Sequence, residues 1–272
     1  MINAVGPKLI NRKCDLEILL IYRLIMHKVS HELGLPIGFK AKLGLIVLQS
    51  DETIEYEFWE LISGLNLALH VSRISSDANV SEDGLMAMKK KLTKAASLFP
   101  QKLRFGAVGY ACTSASSVIG SDIVAKMIKK GCNAAQVCNP MSSLIEACKY
   151  MKINDLLFLT PYVPDVSRIL IEEVHSHGIN TSVTGTFNEE SEQNVARIKP
   201  SSIIQAVSEL YSGQPAIFIS CTNLQTLSII EEIEKKFDCV CFSSNQVLIW
   251  NMLRLAKVKH SLTGFGKLFS DI

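Results

Sequence analysis

The sequence contains no C-x-x-C pair, no G-x-G-x-x-G, no G-x-x-x-x-G-K-[ST] and no H-E-x-x-H. Dithiol redox, dinucleotide, P-loop and helix-borne zinc chemistry therefore have no motif to stand on. A long apolar run is missing too. The segment Cys14–Leu33 is broken by Asp15, Glu17, Arg23, His27 and Lys28, far short of the ~20 apolar residues that a membrane span needs. It predicts an amphipathic helix on a leader over residues 1–40, packed on the body or on a partner subunit, with no signal peptide. Nor is there an excess of charge of one sign. Lys and Arg number 28 against 26 Asp and Glu, which gives no reason to expect nucleic acid or an anionic membrane as partner. The densest basic cluster, Lys89–Lys91, reads as the solvated face of a helix.

Eight cysteines stand at 14, 112, 132, 138, 148, 221, 239 and 241. A chain of this length and core content needs no disulfide staples, so reduced thiols in a cytoplasmic protein are expected. Cys239 and Cys241 alternate within D-C-V-C-F and predict buried strand positions, because further ligands at zinc spacing are missing. Cys132, Cys138 and Cys148 are expected to be structural, free cysteine being among the most buried residue types. His175 and His177 lie near Gly178, where capping of a helix C-terminus is the ordinary role.

Short apolar runs alternate with helical patterns along the rest of the chain. Strands are expected near Lys42–Gln49, Leu67–Ile74, Arg104–Ala111 and Ala134–Asn139. The second half repeats the plan near Asp155–Thr160, Ile179–Phe187, Pro215–Ser220 and Asp238–Ser243. Helices are expected from Thr53, over Glu82–Phe99, up to Gly131, and over Met141–Met151, Asp165–Gly178, Ser202–Gly213, Leu224–Phe237 and about Asn245–Val258. Near-continuous apolar strands alternating with helices predict α/β architecture with parallel sheets covered on both faces. The halves also align with one another. Cys112-Thr113 and Cys221-Thr222, 109 residues apart, each follow a strand-like run and precede a helix-like one. Two similar α/β domains, related by duplication, are the expectation. Their boundaries are drawn at 41–150 plus 243–262 for the first and 151–242 for the second.

In parallel α/β sheets, sites form at the carboxyl ends of strands. A thiol there lies near the positive end of a helix dipole and near unpaired backbone N–H groups, which favours thiolate. The following Thr adds a hydroxyl and an N–H suited to a carboxylate or enolate oxygen. Two such domains face to face would set one thiol on each side of a small ligand. Taken singly, each cysteine fits a buried structural role as well; the pairing across the repeat is what favours function.

The sequence resembles the aspartate/glutamate racemase superfamily, most closely its maleate cis-trans isomerase, arylmalonate decarboxylase and ectoine-utilisation branch. The resemblance runs over about residues 42–258. It is carried by G-L-I-V-L-Q-S-D-E-T-I-E-Y-E (Gly44–Glu57), G-Y-A-C-T-S (Gly109–Ser114), T-P-Y-V-P-D-V (Thr160–Val166) and S-C-T-N-L-Q-T-L (Ser220–Leu227). It implies two pseudo-symmetric Rossmann/flavodoxin-like domains with the active site in the interdomain cleft, and neither cofactor nor metal. It implies Cys112 as nucleophile or first base and Cys221 as the opposing acid/base. Tyr162 would donate to a substrate carboxylate, with a structural domain-edge tyrosine as the alternative. Ser50 and Asp51 of the first loop, with Thr113, Ser114, Thr222 and Asn223, would complete the substrate contacts; Thr113, Ser114, Thr222 and Asn223 would look the same as plain helix caps.

Two segments depart from the pattern. Asp51 stands where maleate isomerases carry Asn, and Glu189, Glu190 and Glu192 stand where an amide is expected to meet the substrate. An ionised Asp is repulsive toward a second substrate carboxylate and suits an ammonium or hydroxyl instead. It equally fits a cap on the helix from Thr53. The expectation is a cofactor-independent isomerase or racemase of a small carboxylate, either a maleate-like dicarboxylate or an acidic amino or hydroxy acid, with a homo-oligomer left open. The alternatives are a related decarboxylase, which needs only one thiol, and a two-lobed binding or regulatory protein whose two cysteines are buried and unreactive.

Overall fold

The computed structural model describes residues 28–76, 81–260 and 262–270. Residues Met1–Pro36 and Ile37–Ile272 separate as two units. In the first, residues 28–36 contain no helix or strand, so the helix expected over Cys14–Leu33 does not run through its last residues. The rest of that segment, Cys14 included, lies outside the described residues.

The second unit holds two four-stranded sheets. β1 (Ala41–Leu48), β2 (Leu67–Ile74), β3 (Phe105–Ala111) and β4 (Ala134–Cys138) lie in the order β2-β1-β3-β4. β5 (Asp155–Thr160), β6 (Asn180–Thr186), β7 (Ala216–Ile219) and β8 (Val240–Ser243) lie in the order β6-β5-β7-β8. Every pairing is parallel, and the second order is the first displaced by four strands. The central pairs β1/β3 and β5/β7 are buried along almost their whole length, as parallel strands with both faces covered must be. Cys241 in β8 and Cys239 just before it are both buried, as are Cys132, Cys138 and Cys148.

The helices are α1 (Ile54–Ile62), α2 (Glu82–Met88), α3 (Leu92–Ser97), α4 (Thr113–Ile119), α5 (Ser121–Gly131), α6 (Pro140–Met151), α7 (Pro164–Ser176), α8 (Glu192–Val195), α9 (Pro200–Leu210), α10 (Ile230–Phe237) and α11 (Ser244–Leu255). Pro140, Pro164 and Pro200 begin their helices, where a missing N–H costs nothing. His177 ends α7, its Nδ1 2.9 Å from the Glu173 carbonyl oxygen.

Three expected helices are built differently. The segment Glu82–Phe99 divides into α2 and α3, and the break lets Met88 and Leu92 both turn inward. Gly120, at φ 90°, separates α4 from α5; only glycine takes this conformation without strain. Leu224–Phe237 is not one helix. A turn and a 3₁₀ segment, Leu227–Ile229, come first, and α10 starts only at Ile230.

The last helix returns to the first sheet. α11 packs on β3, β4 and α6, and its Asn251 and Arg254 reach Ser143 and Glu146 of α6 at 3.1 and 2.9 Å. Gly109 makes the close seating on β3 possible: a Cβ there would stand 2.5 Å from the Met252 sulfur. α11 therefore carries Ser244 and Asn245, at its other end, into the space beside Cys221.

Candidate active site

Four strand ends meet. β1 leads into Gln49–Asp51, β3 into Cys112, β5 into Tyr162 and β7 into Cys221. The two cysteine-threonine junctions are tied to one another by side chains. Thr113 Oγ1 lies 2.8 Å from Ser244 Oγ, which also accepts the Cys221 N–H at 2.9 Å. Reciprocally, the Thr222 hydroxyl donates to the Ala111 carbonyl at 3.4 Å, one residue before Cys112. Both threonine hydroxyls thus serve the junction between halves.

Cys112 is 3 % and Cys221 2 % exposed. The Cys112 sulfur caps α4, accepting the Ala115 N–H at 3.3 Å, with Ser114 Oγ 3.6 Å away. The Cys221 sulfur accepts the Asn223 N–H at 3.3 Å, and the Tyr162 hydroxyl is near enough to favour its thiolate. The helix dipole and free N–H groups favour thiolate, but burial opposes it. Burial pushes the Cys112 thiol up to about 12, and the N–H and hydroxyl donors recover only part of the shift. Burial also raises Cys221 well above an ordinary thiol, with the Glu192 carboxylate adding to it. Desolvation of a charge outweighs one or two hydrogen bonds at such sites. The Cys221 sulfur also lacks a helix start beside it, because α10 begins nine residues later.

Tyr162 is buried, and its acidity falls first through burial and then through the negative charge of Cys221, Glu192 and Cys112. A second tyrosine, Tyr110, is fully buried beside Cys112. In sequence it is marked only as an aromatic residue in an apolar strand.

Asp51 divides its two oxygens. Oδ1 accepts the Thr53 and Ile54 N–H groups at 2.8 and 2.9 Å, capping α1. Oδ2 is buried without a hydrogen-bond partner. Burial raises its pKa to about 6 against the pull of those two N–H groups. Arg73 holds the loop itself, donating to the carbonyls of Leu48 and Asp51 at 2.9 and 3.0 Å. Ser50 has its hydroxyl 3.1 Å from Ser76 Oγ.

Asn223 binds this loop to the other half. Its Oδ1 accepts the Glu52 N–H at 2.8 Å, and its Nδ2 donates to Glu192 Oε2 at 3.1 Å and to the Glu192 carbonyl at 3.0 Å. Of the three glutamates in the loop before α9, Glu192 alone is buried in the site; its pKa is raised to about 7 by burial, against the Asn223 amide and with the Asp51 charge. Glu189 instead folds back on its own loop, accepting the Ser191 N–H at 2.9 Å.

Three residues of the cluster carried no sequence prediction: Ser244, Asn245 and Glu57. The signal for Glu57 was present. It shares a helix face with the buried Ile54, Phe58 and Leu61, an unusual place for a carboxylate.

The arrangement brings two sulfurs, the Tyr162 phenol and the carboxyls of Asp51 and Glu192 close enough to act on one another. Proton transfer between opposed groups, or addition of a sulfur to an electrophilic carbon, is the chemistry that such a set can perform.

Comparison with known proteins agrees with this architecture. The maleate isomerase of Nocardia farcinica (strain IFM 10152) is 24 % identical over 243 residues, covering 84 % of this chain and 94 % of that protein. The maleate isomerase of Geobacillus stearothermophilus is 20 % identical over 245 residues, covering 84 % and 97 %. Among solved structures, a cysteine-to-serine variant of the Nocardia farcinica maleate cis-trans isomerase with a covalently bound succinylcysteine intermediate superposes with a TM-score of 0.79, at 21 % identity, over 85 % of this chain and 99 % of that one. A variant of arylmalonate decarboxylase in the liganded form gives 0.74 at 18 % identity, over 85 % and 100 %. The sequence matches the family described as Amdase, arylmalonate decarboxylase, over residues 43–269, and the chain belongs to that family.

Proposed function

We propose that this protein is a cofactor-independent isomerase of a small carboxylate, with Cys112 and Cys221 as its two working groups. The observation that supports the reading is the reciprocal tie Thr113–Ser244–Cys221 and Thr222–Ala111, which joins the two Cys-Thr junctions to one another. In a racemase-like cycle one sulfur takes a proton from carbon as thiolate, and the other returns a proton to the opposite face as thiol. In a cis-trans cycle the thiolate adds to the double bond, the new single bond rotates, and elimination expels the thiolate and restores the alkene. The Nocardia farcinica enzyme, with its succinylcysteine intermediate, favours the second route by similarity. Either route needs one sulfur deprotonated, which burial opposes.

The two buried carboxyls bear on the substrate. Asp51 Oδ2 is unpartnered and Glu192 lies close enough to act on Asp51 and both sulfurs. A second substrate carboxylate would meet repulsion there, whereas an ammonium or hydroxyl would pair with Asp51 and ease the negative charge around the thiols. An amino- or hydroxy-bearing carboxylate therefore fits better than maleate itself.

A non-catalytic ligand-binding protein is the competing reading, and the burial of both thiols favours it. Incubation in deuterated water with a panel of dicarboxylates, amino acids and hydroxy acids separates the two. The catalytic reading expects α-carbon exchange or isomerisation of one panel member, lost by about 10²–10⁴-fold in both Cys112→Ser and Cys221→Ser. Binding without exchange, equal in wild type and both variants, sinks it.

A further inference from the structure

Glu57 lies outside the four strand ends, yet its buried carboxylate is the most heavily hydrogen-bonded acid near them. Oε1 accepts the N–H groups of Thr226 and Leu227 at 2.6 and 2.8 Å. Oε2 accepts Asn245 Nδ2 at 2.7 Å and faces the Thr226 hydroxyl at 3.4 Å. All these partners lie 169 to 188 residues further along the chain. The same Asn245 amide donates to the Thr222 carbonyl at 2.9 Å.

That carbonyl belongs to the peptide unit whose other end is the Asn223 N–H, the group that donates to the Cys221 sulfur at 3.3 Å. A peptide is planar, so fixing its C=O fixes its N–H. The relay therefore runs from Glu57 through Asn245 and the Thr222–Asn223 peptide to Cys221. Each hydrogen bond in such a chain polarises the next. No matching relay reaches Cys112, whose sulfur takes its N–H from its own helix.

We propose that Glu57 is a positioning residue for Cys221: through Asn245 it aims the Asn223 N–H at the sulfur, and through Thr226 and Leu227 it holds open the loop that follows. The second part explains the delayed helix. The N–H groups of Thr226 and Leu227 are committed to Glu57, and α10 starts at Ile230. Glu57 also borders a cavity of about 450 Å³, which it lines with Glu52, Glu60, Tyr56 and Gln225. Glu52 and Glu60 are the other acids on that side. The 226–227 loop and α11 present N–H groups, a hydroxyl and an amide to the carboxylate.

The inference rests on reading Cys221 as a working group, but its test needs no turnover. Purified full-length protein is labelled with iodoacetamide across a range of pH, and the Cys112 and Cys221 peptides are quantified by mass spectrometry. In Glu57→Gln an amide nitrogen replaces an oxygen that accepts from N–H donors, with the Thr226 hydroxyl as its one available acceptor there, and Asn245→Ala cuts the relay while leaving the two backbone bonds to Glu57. Both variants are expected to move the Cys221 profile up the pH scale, with labelling about tenfold slower at a given pH below its midpoint, a weakened N–H donor being the cause. The Cys112 profile is expected to stay in place. Equal displacement of both profiles, or displacement of neither, overturns the inference. If Glu57→Gln does not fold, Asn245→Ala alone decides. Absence of turnover in every panel member is a separate failure, of the isomerase reading only.

Discussion

At Cys112 the backbone is extended, with φ −156° and ψ 114°, and the next residue starts a helix. At Cys221 φ is 116°, and eight residues pass before the next α-helix. The two junctions share Cys-Thr, strand position and burial, so the difference comes from what surrounds them. Cys112 is served locally: its sulfur is a helix cap and its neighbours belong to the same helix. Cys221 is served from a distance, by Ser244 and Asn245 of α11 and by Glu57 of α1. Two sheets of the same strand order thus carry one self-contained junction and one imposed by long-range contacts, and a positive φ at a non-glycine residue costs about 1–3 kcal/mol. Strain of that kind persists only where the surroundings over-determine it.

The largest test of this asymmetry uses Glu192. After burial, its charge is the strongest influence on Cys221, while on Cys112 it ranks behind two hydrogen bonds. Glu192→Gln is expected to lower the labelling pKa of Cys221 more than that of Cys112. The same substitution has a stability signature. The carboxyl is raised to about 7 in the folded protein, so the folded state holds a proton that the unfolded state has released. The corresponding stabilisation is fully present below about pH 4 and is lost as pH rises toward 7, on the order of 3 kcal/mol. Urea unfolding at pH 4.5 and 7.5 should show a smaller fall in Glu192→Gln than in the parent. An unchanged fall means that Glu192 is ionised and solvated in the native state.

Much of this molecule is legible in its sequence because parallel strands buried on both faces must be written as apolar runs. β3, β5 and β7 fall within the runs expected for them and β1 lies one residue ahead of its run, and the repeated Cys-Thr marks the carboxyl ends of β3 and β7. The parts that were misread depend on partners far away in sequence. Leu224–Phe237 has good helical periodicity throughout, and nothing local reveals that Glu57 captures the N–H groups of Thr226 and Leu227. The charge state of the thiols was misjudged for a related reason. A helix dipole can be read from neighbours, whereas desolvation depends on what the whole fold places on top. Asp51 takes the capping role that was one of its two alternatives, through Oδ1, while Oδ2 has no hydrogen-bond partner.

Ser244 links the two junctions and offers the next test. Removing its hydroxyl in Ser244→Ala leaves the Cys221 N–H without its acceptor and the Thr113 hydroxyl without its partner, both in buried surroundings. An unsatisfied buried group costs about 1–3 kcal/mol, to be read from the shift in denaturation midpoint. Cys221, already at a positive φ, depends on that acceptor more than Cys112 does, so its labelling rate should change and that of Cys112 should not. A stability loss below about 0.5 kcal/mol means that water takes over both bonds and the junctions are not coupled through Ser244.

The smallest effect is the most direct reading of backbone strain. Replacing either cysteine by glycine removes one buried sulfur and strips one backbone N–H of its acceptor, Ala115 at the first junction and Asn223 at the second. These losses are matched, so they cancel when the two variants are compared. What does not cancel is φ. At Cys112 the extended backbone suits any residue, and glycine there only adds freedom to the unfolded chain. At Cys221 glycine releases the penalty of φ 116°. Cys221→Gly is therefore expected to be less destabilised than Cys112→Gly by about 1 kcal/mol, measured as the difference in unfolding free energy under one set of conditions. If Cys221→Gly is the more damaged of the two, the conformation at Cys221 is unstrained, and the distant contacts of Glu57, Ser244 and Asn245 stabilise a geometry that the chain already prefers.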